Sequence, residues 1–216
     1  MKFRVSFPPV SKAVLDKHVK EVEMEKKQKL IQEIIDRELD MFLNVHAREP
    51  ASCQENPGAF RFYRGVSFSV WSEAALESYR DDLIRADAKG LNLLTLKYAR
   101  MENSIPPLSK NPLIDQIVEI EIVWTKELAA KYPNLHSRGR PIDEDGPGGT
   151  SMKTYLRGEL ETYSDNTLAL YYKNLMQFLE RKENLAEKVL LATVIGAGYE
   201  SLQKAEDRLL GGDAGV

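Results

Sequence analysis

Four carboxylates fall where an amphipathic helix would carry its apolar face. Glu38 follows Ile34 and Ile35 by four and three residues and precedes Met41 and Phe42 by three and four. Glu121 stands in the same relation to Ile117, Val118 and Trp124, Glu159 to Tyr155, Leu156 and Tyr163, and Asp82 to Tyr79 and Ala86. Residues three and four apart share one helix face, so each acid is aimed at the interior. A lone buried carboxylate is costly and has to meet a cation, hydrogen-bond donors, a metal or a proton. The candidate cations are Arg61, Arg64, Lys97 and Arg100, the last two beside Leu93, Leu94 and Tyr98.

Three chemistries fit that pattern. The acids form structural ion pairs at the edges of their stripes, or they line a polar pocket that binds a small molecule or moves a proton. The third is a carboxylate-bridged di-metal bundle. That site needs Glu-x-x-His from two helices, and none of His18, His46 and His136 follows a glutamate by three, so no metal is expected. In the pocket reading, Glu38 and Glu159 are the acid-base carboxylates, and Lys97 and Arg100 hold an anionic ligand or tune the acids. Arg64 joins them, Tyr98 donates a hydrogen bond, and Trp71 or Trp124 walls the pocket.

Two other sites compete for attention. Cys53, the single cysteine, lies in Ser52-Cys53-Gln54 between Pro50 and Asn56-Pro57-Gly58, with Arg61 and Arg64 nearby. A helix N-terminus there would favour the thiolate, with His46 or His136 as base if the fold brings one close. An inert, partly buried thiol is the plain alternative. Arg138-Gly139-Arg140 resembles an anion clamp, and an exposed loop of solvated charges is its plain alternative. Val194-Ile195-Gly196-Ala197-Gly198 imitates a dinucleotide-binding turn. Ser201 takes the third-glycine position and only 18 residues follow Gly198, so no βαβ unit can form.

The elements that must position these residues read as helices. Leu30, Ile31, Ile34, Ile35, Phe42 and Val45 make one stripe, with a charged, solvated extension from Val19 to Lys29 before it. A brief helix is expected within Glu55 to Val70. Ser72 caps a helix stopped by Gly90, Asn92 to Glu102 is the next, and Asn111-Pro112 starts another that runs to Tyr132-Pro133. Pro133 to Thr150 is irregular, a linker or a loop over a site. Ser151 then caps one long helix through Tyr163 and Phe178, and a last helical region from Leu185 to Leu210 breaks at Gly196 or Gly198. The fold class is all-α, a compact multi-helix bundle with one long irregular loop. Residues 1–29 are an N-terminal segment and helix extension, 30–210 one helical domain, and 211–216 a flexible tail.

Composition bounds the partners. The 216 residues carry a net charge of −3, with Lys and Arg spread among matching acids, so no nucleic-acid stripe exists. One cysteine rules out an internal disulfide and a Cys-rich zinc site. No run approaches the roughly 18 to 20 apolar residues that span a bilayer, and the N-terminus lacks a signal-peptide pattern, so a cytoplasmic protein is expected. The cofactor is unknown from the sequence. A small-molecule ligand and a homo-oligomer stay open; nucleic acid and membrane are not expected.

The combination of Glu38-Leu39-Asp40-Met41-Phe42, Ala51-Ser52-Cys53-Gln54, Leu96-Lys97-Tyr98-Ala99-Arg100-Met101-Glu102 and Tyr155 through Ser164, with Lys131-Tyr132-Pro133 and Arg138-Gly139-Arg140, resembles a bacterial family called domain of unknown function 4125. The likeness runs from about Leu30 to Ala205, with Gly90-Leu91-Asn92 where the family has Gly-Arg-Asn. It implies one bacterial domain and no mechanism. It also makes Glu38, Cys53, Gln54, Lys97, Tyr98, Arg100 and Glu159 first candidates for a shared site. Small-molecule binding or acid-base chemistry is the function expected, against a non-enzymatic interaction module and a Cys53-centred enzyme or redox sensor.

Overall fold

Capping side chains punctuate the chain. The computed structural model describes residues 12–45, 56–146 and 149–211, all-α apart from one isolated bridge between Gly146 and Gly149. The first helix, α1 (Lys12–Leu43), is followed by α2 (Pro57–Ser69), α3 (Glu73–Ala88), α4 (Leu93–Met101) and α5 (Leu113–Lys131). After them come α6 (Pro133–His136), α7 (Met152–Leu160), α8 (Asp165–Glu180), α9 (Leu185–Gly196) and α10 (Leu202–Leu210). Asn56, Ser72, Asn92, Ser151, Ser164, Asn184 and Ser201 each accept a first-turn backbone N–H, and Asn111 accepts from Leu113. Each such cap is worth about 1 kcal/mol. Gly90 and Gly198 take positive φ values of 64° and 91° in the turns after α3 and α9, conformations other residues adopt only with strain.

Three expectations need correction. The segment within Glu55 to Val70 is not brief: α2 has 13 residues, because Asn56 caps it and Pro57 begins it. The long helix expected after Ser151 is two, α7 and α8, divided at residues 161–164. Ser164 restarts the chain with its own cap, and its backbone N–H donates to Asp82 on α3 at 3.0 Å. The stretch from Pro133 to Thr150 is not wholly irregular, since α6 opens it. Its later part is tied to α7: Pro141 and Ile142 carbonyls accept from Met152 and Lys153, and Asp145 accepts from Ser151 and Thr154.

The core follows from the stripes. Ile34, Leu76, Leu83, Ile117, Leu168 and Leu175 are fully buried, each contributing about 1.5–3 kcal/mol. Helix α3 lies between α1 and α8, α4 rests on α1 and α7, and α5 meets α7, α8 and α9. A smaller cluster of Leu128, Tyr132, Val194, Leu202 and Ala205 joins the end of α5 to α9 and α10. Glu206 pins α6 to it by accepting from Asn134 and Leu135 backbone N–H groups at 2.8 Å each. The glycine pair at 196 and 198 belongs to a helix and its exit, not to a nucleotide-binding turn. No helix among the described residues is long and apolar enough to cross a membrane.

Candidate functional site

Helices α1, α2, α4 and α7 bring four charges together in the interior. Glu38 is 1% exposed and receives both forks of Arg64, with the Tyr79 hydroxyl donating to it at 2.7 Å. The same guanidinium reaches Glu159 at 2.8 Å, and Lys97 donates to the other Glu159 oxygen at 2.6 Å. Tyr163 completes the shell of Glu159 at 2.8 Å. Two anions face two cations, so the cluster is neutral, with geometry that recovers much of the desolvation cost. Burial alone would raise the Glu159 pKa, but Arg64 and Lys97 outweigh it and hold the carboxyl well below the usual range. Burial likewise disfavours the Lys97 ammonium, and Glu159 reverses this and raises its pKa. Glu159 and Lys97 therefore keep their charges at neutral pH.

Glu121 has the opposite environment. It is 8% exposed on α5, and the one group donating to its carboxyl among the described residues is the Tyr171 hydroxyl, 2.8 Å from Oε1. Burial raises its pKa to about 7; the Tyr171 bond opposes the shift and the Glu159 charge adds to it. A carboxyl near neutrality can hold or release a proton under working conditions, which Glu159 cannot.

Three cavities run past these groups in a row. A space of about 20 Å³, room for one water, touches Glu38, Arg64, Lys97 and Glu159. A second, of about 150 Å³, shares Arg64, Tyr155 and Glu159 with the first and adds Trp71, Glu121 and Tyr171. The third, of about 340 Å³, shares Ser67, Trp71, Glu121, Met152 and Tyr171 with the second. Its apolar side is Leu128, Leu185, Val189 and Leu190, and its other wall carries Tyr132, His136 and Arg140. Glu121 therefore borders both larger spaces.

The residues nominated from sequence separate accordingly. Glu38, Arg64, Lys97 and Glu159 meet in one cluster; Tyr98 lines its small cavity, and Trp71 lines the two larger ones. Arg100 is elsewhere, paired at 2.6 Å with Glu161, a carboxylate the stripe argument passed over. Arg61 pairs with Asp36 at the surface, Asp82 with Arg85, and Trp124 is core. Arg138 and Arg140 are both exposed, and Arg140 donates to Thr150 and lies 4.9 Å over the Tyr155 ring. Of the two roles expected of Lys97, holding an anion or tuning the acids, its geometry fits the second: it pairs with Glu159 and its ammonium lies 3.6 Å over the Tyr155 ring. Cys53, Gln54 and His46 lie outside the described residues. Tyr79 and Tyr163 fall in the apolar stripes and spacing does not single out Tyr171; the hydroxyls of all three donate to the buried carboxylates, a role that helical spacing does not distinguish. Among the described residues no group of three or more His, Cys, Asp or Glu is placed to hold a metal.

Comparison with known proteins adds membership without chemistry. A family model described as protein of unknown function (DUF4125) matches residues 28–207, and the chain belongs to that family. No curated protein and no solved structure matches it.

Proposed function

We propose that this member of the family binds a small molecule in the cleft between α5, α8 and α9, and that Glu121 exchanges a proton with it. One observation carries the reading: a buried carboxyl with a single neutral donor borders both larger cavities. Apolar walls with a few polar groups are what a small-molecule site needs, and a pKa of about 7 suits general acid-base work. The Glu38–Arg64–Glu159–Lys97 cluster positions the wall behind it. Its charges are paired with one another, so its role is to hold α1, α2, α4 and α7 in register around the inner cavity. Acid-base duty thus passes from Glu38 and Glu159 to Glu121.

Native mass spectrometry of the purified full chain tests the reading. Val189 lines the cleft, so Val189→Trp fills it. The wild type should carry a small-molecule adduct that this variant lacks at unchanged helicity. An adduct equally present in both would place the ligand elsewhere, and bare masses for both would count against a retained ligand.

A further inference from the structure

We infer that the cleft selects ligands bearing a positively charged nitrogen on an apolar body, the ammonium lying against Glu121 and the ring of Trp71. This rests on the cleft being the ligand site.

The argument begins with charge. Every buried carboxylate among the described residues except Glu121 is satisfied by a cation or by N–H donors. Glu38 and Glu159 share Arg64, with Lys97 on the second; Asp82 meets Arg85, and Glu161 meets Arg100. Glu206 has no cation but takes three N–H donors, from the Asn134 backbone, the Asn134 amide and the Leu135 backbone. Glu121 has neither a cation nor a set of N–H donors. Because the inner cluster is already neutral, an ionised Glu121 leaves one uncompensated negative charge beside open space. A ligand cation supplies the missing partner.

The rings favour the same occupant. Trp71 and Tyr171 both line the two larger cavities, with centroids 4.3 Å apart, and Tyr132 lies further along the larger one. Aromatic faces attract cations, most strongly where water is excluded. The aliphatic side chains of Leu128, Leu185, Val189 and Leu190 accept the apolar body. An anion at the inner end would face Glu121 and, behind it, Glu159, whose charge acts on Glu121 directly. Arg64 lies there as well but is held by two carboxylates. The remaining charged or titratable groups facing the cleft are Tyr171, Tyr132, His136 and Arg140, and the last is exposed and engaged with Thr150.

Three probes of one shape test this by calorimetry at pH 8: phenethylammonium, 2-phenylethanol and 3-phenylpropanoate. Phenethylammonium should bind at least tenfold more tightly than the alcohol, and Glu121→Gln should reduce that ratio to within about twofold. Helicity and the thermal midpoint serve as the folding controls for the variant. Should the variant fail to fold, the ranking on the wild type decides. Equal binding of ammonium and alcohol would overturn the charge selection and leave the cleft standing as a site. Tightest binding by the carboxylate would reverse the selection. Failure of all three to bind would remove the cleft reading and this inference together.

Discussion

Glu121 and Glu159 are the same side chain in walls of the same inner cavity, yet burial leaves one protonatable near neutrality and the other permanently charged. The difference is two cations. Stability should report it. Between the ordinary value of 4.5 and about 7, the folded chain keeps a proton on Glu121 that the unfolded chain has released, so stability falls as pH rises through that window. The shift corresponds to about 3 kcal/mol. Urea unfolding should therefore show Glu121→Gln gaining about that much on the wild type between pH 4 and pH 8; a constant difference would contradict it. Glu159 acts with the opposite sign: its contribution is present above the ordinary carboxylate range and is lost on acidification. Helical spacing is enough to place Glu38, Glu121 and Glu159 on inward faces. It cannot say which of them meets Arg64, because that choice depends on how α1, α2 and α7 cross.

Helix crossings are set in part by the smallest side chains. A Cβ on Gly158 of α7 would sit 3.0 Å from Met101 Cγ and 3.1 Å from the Lys97 carbonyl oxygen of α4. An alanine gains about 1 kcal/mol of helix propensity over glycine. Against that, the close backbone contact forces α4 and α7 apart, at about 1–3 kcal/mol, and lengthens the Lys97–Glu159 ion pair. Gly158→Ala should thus lower the thermal midpoint, whereas Gly146→Ala, with nothing within 4 Å, should leave it within error. Equal midpoints would mean α4 moves freely. Most elements are legible from their caps, since Ser72, Asn92 and Ser151 all begin helices where such residues are favoured, while at α5 Pro112 takes the cap position and Asn111 precedes it. The division between α7 and α8 is not. Leu160, Tyr163 and Leu170 keep the helical period across it, and the interaction that fixes the restart comes from Asp82, 82 residues away in sequence.

For the molecule as a whole, the bundle packs ten helices among the described residues around a neutral ionic cluster, with a row of cavities that opens beside it. The all-α architecture follows from periodicity. The cleft does not, because it is the space that α5, α8 and α9 leave between their apolar faces. Leu128, Leu185 and Val189 look like ordinary core residues in sequence, and nothing in their spacing marks them as lining a void. The account turns on the protonation of one residue in that void. A ¹³C NMR titration of the Glu121 side-chain carboxyl, assigned by its loss in Glu121→Gln, measures this directly. The midpoint should fall near pH 7, and a midpoint near the ordinary 4.5 would contradict the account.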